Sequence, residues 1–196
     1  MGSLTWLSRG DVAGLACPYC GRTANPDDPA LIAAEQAWGF VGAALTGHGE
    51  RTAALLLTPV PETRDALLSC LWVAPGRVEQ GRGKRLIQAT AAGLLSREVE
   101  SILARGSRTK LDCLAPPADF LRAVGFTRTP DERSPLRSPR SAQRPPVADL
   151  DGTRLWRLDL NATVTAPQGL RGLVEHWLRA LRPIGPEPAG RVSRES

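Results

Sequence analysis

The chain has 196 residues, a net charge of +5, 42% apolar and 23% charged residues, which is globular composition with enough length for a sizeable core. No apolar run approaches the ~20 residues of a membrane span, and Met1 to Gly10 lacks the basic start and apolar stretch of a secretion signal, so no membrane partner and a cytoplasmic location are expected. The basic balance suits polyanionic ligands, a phosphate-bearing cofactor among them, whereas 5% aromatic residues that do not alternate with arginine give no base-stacking surface, and nucleic acid is not indicated.

In chain order, residues 1 to 30 read as an irregular segment holding a short strand at Leu4 to Ser8. Cys17-Pro-Tyr-Cys20-Gly21 and Asn25-Pro-Asp-Asp-Pro29 read as turns. A domain over residues 31 to 160 follows. It opens with a short helix at residues 30 to 37, with Asp28 as its cap and Pro29 behind it. Trp38 to Thr46 and Arg51 to Pro59 form a hairpin pattern around Gly47-His48-Gly49. Leu67 to Val73 is a continuous apolar run suited to a strand buried on both faces, stopped by Pro75-Gly76. Leu86, Ile87, Ala91, Leu94, Leu95 and Val99 recur at helical spacing and carry the predicted helix on to Ile102 and Leu103, with Gly106 as its stop. Lys110 to Leu114 reads as a strand beside Leu67 to Val73, Pro117 to Ala123 as a short helix, and Gly125-Phe126-Thr127 as extended chain. Residues 128 to 147 are a Pro- and Arg-rich solvated loop. Arg154 to Leu160 is a final strand. Residues 161 to 182 carry an amphipathic helix from 168, and residues 183 to 196 a disordered tail. Strands and helices alternate in this way in an α/β (α+β) domain.

The chemistry-bearing feature is strand, Gly-rich loop, helix: Leu71-Trp72-Val73, then Glu79-Gln80-Gly81-Arg82-Gly83-Lys84-Arg85, then Leu86-Ile87. Glycines let a backbone approach a ligand closely. The first N–H groups of the following helix lack internal partners and can point at a pyrophosphate, with roughly +0.5 charge of helix dipole behind them. Arg82, Lys84 and Arg85 add formal charge. A P-loop needs Ser or Thr after Gly83-Lys84, where Arg85 stands, and a Rossmann fingerprint needs Gly where Leu86 stands.

Val73, Pro75, Gly81, Gly83, Leu86 and Ile87 fall without a gap on the pattern of the acyl-CoA segment of GNAT N-acyltransferases, and the chain resembles that family, including its members in high-GC bacteria. Phe120-Leu-Arg-Ala-Val-Gly125-Phe126 resembles the family's later helix and its turn into the next strand. The resemblance covers residues 38 to 160. It implies the GNAT acyl-CoA N-acyltransferase fold, with a mixed, mostly antiparallel central sheet flanked by helices, acetyl-CoA as acyl donor, and an amine acceptor that attacks the thioester directly in a ternary complex. It implies also a splayed strand pair whose slot takes the pantetheine arm against Leu71, Trp72 and Val73, with a Val73 N–H holding the oxyanion. Val78 replaces the usual Arg or Gln; a shifted register would give that place to Gln80. Leu121 stands where the family often has a proton-donating Tyr, and Leu67 near where it often has a Glu base. The nearest catalytic candidates are Asp65 and Cys113.

Four cysteines are present, Cys17, Cys20, Cys70 and Cys113. Cys17 and Cys20 resemble half of a zinc ribbon, but no second Cys-x-x-Cys exists, and Cys70 and Cys113 fall on predicted core strands, so no metal is expected and the pair should be dispensable for CoA binding. His48 and His176 read as solvated residues. Two other functions compete with acyl transfer. One is a catalytically degenerate protein of this fold that binds CoA or a partner without turnover; the other is a zinc-linked or nucleic-acid-binding protein. A homodimer is left open.

Overall fold

The computed structural model describes residues 3–47, 49–108, 113–129 and 153–165. Among them, seven strands form one sheet in the order β1-β2-β3-β4-β5-β7-β6. These are β1 (Ser3–Leu7), β2 (Gly42–Gly47), β3 (Glu50–Pro59), β4 (Asp65–Val73), β5 (Ser101–Ser107), β6 (Thr127–Arg128) and β7 (Thr153–Asp159). Every neighbouring pair is antiparallel except β4 and β5. The helices are α1 (Arg9–Val12), α2 (Pro29–Trp38), α3 (Arg82–Leu95), α4 (Ala118–Ala123) and α5 (Leu160–Thr165). No helix among the described residues is long and apolar enough to cross a membrane.

Local signals explain most of these elements. The Asp28 carboxylate accepts from the Ala30 N–H at 2.8 Å, Pro29 opens α2, and Gly39 closes it in the left-handed region at φ 78°. The β2–β3 hairpin forms around the predicted Gly47–Gly49 turn, but β2 starts at Gly42 instead of Trp38, which ends α2; β4 stands where its apolar run predicts it. Helix α3 buries Leu86, Ile87 and Leu94 against β2, β3 and β4. Each such side chain contributes about 1.5–3 kcal/mol by leaving water.

Four further expectations are corrected. The helical pattern over Leu94 to Leu103 breaks at Leu95, and Ile102 and Leu103 lie in β5. The stop is a turn in which the Val99 N–H reaches the Leu94 carbonyl, with Glu98 taking the left-handed conformation at φ 59° that glycine usually marks. Gly106, expected as a helix stop, is a buried residue of β5, and a Cβ there would meet the Trp156 Nε1 at 2.4 Å. The strand beside β4 is therefore β5, not Lys110 to Leu114; Cys113 and Leu114 lie in a turn. The segment before residue 30 is also less irregular than expected, since α1 follows β1 and the Arg9 side chain bonds the Glu35 carboxylate of α2 at 2.6 Å. Residues 109–112, the loop beyond Thr129, the amphipathic pattern at 168 to 182 and the tail at 183 to 196 lie outside the described residues.

Candidate acyl-CoA site

Strands β4 and β5 pair in parallel from Asp65↔Ser101 to Leu68↔Ala104. Beyond that point both continue, β4 to Val73 and β5 to Ser107, without pairing with each other. Leu71 stands three residues past Leu68, and Ser107 three past Ala104. The two are level across a gap, which is the splay that the family resemblance implies, with β5 in place of Lys110 to Leu114.

The gap is bridged by the chain itself. The Leu71 N–H donates to the Cys113 carbonyl at 2.7 Å, and the Ser107 N–H to the Pro116 carbonyl at 3.0 Å. Ser107 also forms a parallel bridge with Pro117. Residues 113–117 thus lie as a wedge between the parted strands. Two places along β4, the Tyr19 hydroxyl donates to the Val73 carbonyl at 2.6 Å. Residues alternate in direction along a strand, so Leu71 and Val73 present their backbone groups to this one edge. Tyr19 is distant in sequence from every predicted site residue. Its arrival at Val73 depends on the fold of the Cys17–Cys20 turn, and no local signal shows it.

The loop after β4 carries Gly76, Glu79 and Gly81 at φ 74°, 65° and 70°. Gln80 Nε2 donates to the Gly76 carbonyl at 3.3 Å, which ties the loop to itself. Gly81 caps α3, and the first intrahelical bond runs from the Arg85 N–H to the Gly81 carbonyl at 2.9 Å. The N–H groups of Arg82, Gly83 and Lys84 precede it and so have no partner within the helix. A Cβ on Gly81 would meet nothing within 4 Å, so this corner is open. Gly83 differs: it is buried, and its Cβ would lie 3.1 Å from the Phe120 ring of α4 and 3.7 Å from Val73. Gly83 is thus small for packing, not for phosphate approach. Arg82 turns back to the sheet, where Nη1 donates to Thr52 Oγ1 at 2.8 Å. Glu79, Gln80 and Lys84 are exposed, and Trp72 is buried.

The loop, the start of α3 and the end of β4 therefore meet, and Cys113 joins them. Asp65 does not. It starts β4, roughly 26 Å of strand from Val73 at ~3.3 Å per residue. Its carboxylate accepts from Ser101 Oγ at 2.5 Å and lies 3.4 Å from Arg157 Nη2. That is a buried structural tie between β4, β5 and β7. Leu121, at the family's tyrosine position, is wholly buried.

Cys113 is buried, and loss of hydration, followed by the negative charge of Cys70, pushes its thiol far above the ordinary range. A thiol held neutral in this way is a poor nucleophile. Its environment corrects the expectation of an isolated core cysteine: the sulfurs of Cys17, Cys20 and Cys113 all lie within 4.8 Å of one another.

A cleft of about 940 Å³ adjoins the wedge, sharing Ser107 and Pro117 with it, and lies across β5 between α4 and β7, walled in part by Arg108, Arg122, Arg128 and Arg154. None of the loop residues lines it.

No family model and no curated protein matches the sequence. Solved structures do. Ard1 from Thermoplasma volcanium matches with a TM-score of 0.54 at 14% identity, covering 81% of this chain and 97% of that one. The ribosomal-protein-S18-alanine N-acetyltransferase from Escherichia coli matches with a TM-score of 0.51 at 17% identity, over 82% of this chain and 94% of that one. The match to N-acetylglutamate synthase from Neisseria gonorrhoeae has a TM-score of 0.49 at 16% identity and covers 64% of this chain but only 27% of that longer protein. With the parallel pair β4–β5 parting beside a glycine-capped helix, the chain has the fold of the GNAT acyl-CoA N-acyltransferases.

Proposed function

We propose that the chain binds acyl-CoA and transfers its acyl group, acetyl or similar, to a primary amine by direct attack in a ternary complex. The observation that carries this reading is the parting of β4 and β5 past Leu68 and Ala104, beside helix N–H groups without internal partners. The open corner at Gly81 fits a pyrophosphate, and the loop and first helical turn, from Arg77 to Arg85, hold four cations against one carboxylate. The edge groups of Leu71 and Val73 fit the amides of the pantetheine arm. In this reading the amine nitrogen forms its bond to the thioester carbon, and a β4 N–H holds the resulting oxyanion. Collapse breaks the carbon–sulfur bond; the nitrogen gives up its surplus proton to water, and the departing thiolate takes a proton. Leu121 cannot supply it. The Tyr19 hydroxyl, anchored at Val73, is the acid within reach of that edge.

A second reading, binding without turnover, is favoured by one observation: the wedge at residues 113–117 already occupies the Leu71 N–H. Acetyl-CoA titration by calorimetry, followed by thiol release over a panel of amines, separates the two. Saturable binding with amine-dependent thiol release, lowered by Tyr19→Phe, supports transfer. Binding without release under any amine supports the second reading, and absence of binding refutes both.

A further inference from the structure

The two-cysteine turn and Cys113 are not used by acyl transfer, yet their geometry is specific. Cys17-Pro18-Tyr19-Cys20 folds as a tight knuckle. The Gly21 N–H donates to the Cys17 carbonyl at 2.9 Å with Gly21 at φ 67°. The Cys17 N–H donates to the Arg22 carbonyl at 2.9 Å, and Ala16 bridges Thr23 across the knuckle. This places both sulfurs on one side. Cys113 arrives from far along the chain with its sulfur 3.5 Å from that of Cys20. A zinc–sulfur bond of about 2.3 Å in a tetrahedron puts sulfurs about 3.8 Å apart; the Cys20 and Cys113 sulfurs are 3.5 Å apart and all three lie within 4.8 Å of one another, so a shift of about 1 Å or less brings them to that spacing. Cys17 and Cys113 are buried and Cys20 is exposed, so the dry side of the cluster faces the core and solvent reaches the other.

We propose that Cys17, Cys20 and Cys113 bind one zinc ion through three thiolates, with a water molecule in the fourth place on the exposed side. The donor set is soft and close, which suits zinc over the oxygen-seeking cations. Binding would displace the thiol protons to solvent, and attraction to the dication would offset the repulsion among the three thiolates so formed. Its structural effect follows from the bonds already described. Cys113 supplies the carbonyl on Leu71, and Tyr19, inside the knuckle, holds Val73. The metal would therefore fasten both covers of the β4 edge to each other. The site does not depend on the acyl-transfer reading, since it can be present in a protein that never turns over.

Metal analysis of the full-length protein, purified without chelator under reducing conditions, should find one zinc per chain. Cobalt(II) exchanged for it should show the visible bands of a tetrahedral centre and thiolate charge transfer. Cys20→Ser, at the exposed ligand, should lose the metal while keeping the far-ultraviolet circular dichroism of the parent. Cys20→His should retain it with a shifted cobalt spectrum. Cys70→Ser should keep the metal. Stripping with a chelator should speed hydrogen exchange at the Leu71 amide. Zinc-free protein that takes up no cobalt, a Cys20–Cys113 disulfide seen by mass spectrometry in protein purified this way, or full metal in Cys20→Ser would each overturn the proposal.

Discussion

The two loop glycines give opposite predictions, although they stand two residues apart in one motif. At Gly81 the backbone is left-handed at φ 70° with open space beyond. Gly81→Val costs roughly 1–2 kcal/mol of backbone strain and turns the corner where a pyrophosphate would rest. Unmade hydrogen bonds there should weaken acetyl-CoA binding by ~1–3 kcal/mol, roughly ten- to hundredfold. At Gly83 the new side chain would press on Phe120, already 3.1 Å from an ideal Cβ, and push α4 from α3. Overpacking of this kind costs about 1–3 kcal/mol, or a fall of roughly 2–12 °C in melting temperature for a chain of this length. Gly83→Val should thus act chiefly on stability, and trimming the ring in Gly83→Ala/Phe120→Leu should recover part of the loss relative to Gly83→Ala alone. Arg82→Ala and Lys84→Ala should cost less affinity than Gly81→Val, and increasingly little in high salt as exposed charge is screened. Calorimetry with acetyl-CoA and thermal melts of the variants are the assays. A folded Gly81→Val protein that binds like its parent would remove the loop from the site, and a Gly83→Val protein that melts like its parent would refute the packing argument.

Asp65→Ala should leave the buried Ser101 hydroxyl without its acceptor and destabilise the chain by roughly 1–3 kcal/mol; the half-exposed Arg157 adds little more. Its kcat for any acceptor should match the parent, and a hundredfold drop in kcat in the folded variant would restore Asp65 as a catalytic group. Glu35 accepts from the Arg9 side chain and then from its backbone N–H, which holds its carboxyl below the ordinary glutamate range. A lowered folded-state value contributes stability above the ordinary value that is lost as pH falls through the folded one. The melting-temperature advantage of the parent over Glu35→Gln should therefore be present at pH 7 and fade toward pH 3; an advantage that grows in acid would contradict it.

The parts of the fold legible in sequence are those that carry their own local chemistry. Asp28-Pro29 announces α2, the apolar run at Leu67 to Val73 announces β4, and Gly81 with paired Leu86-Ile87 announces α3. Where local chemistry misled, another residue substituted for the expected signal. Glu98 holds the left-handed stop of α3, so no glycine breaks the apolar spacing between Leu94 and Leu103. Gly106 looks like punctuation, but its place in β5 is set by Trp156, half a hundred residues later. The candidate site divides the same way. The loop and the end of β4 follow from consecutive residues. The cysteine cluster and Tyr19 on Val73 join segments far apart in the chain that only the tertiary fold brings together, and no spacing rule encodes them.

The wedge between β4 and β5 bears directly on how ligand could enter. Removing the Cys113 carbonyl from the Leu71 N–H and supplying a ligand carbonyl exchanges one hydrogen bond for another, and a typical net bond is worth only about 0.5–1.5 kcal/mol. The hydrogen bonds by themselves are thus a weak barrier. The tether determines the rest: Cys113 cannot leave β4 while its sulfur is held beside Cys17 and Cys20. If those thiols are free, residues 113–117 should give way to acyl-CoA at little cost. If they share a metal, the ligand must work against coordination as well. Acetyl-CoA should then bind Cys113→Ser at least as tightly as the parent, and stripping the metal should shift the parent toward the variant. A tenfold weaker affinity in folded Cys113→Ser would mean that the segment belongs to the binding surface instead of standing in its way.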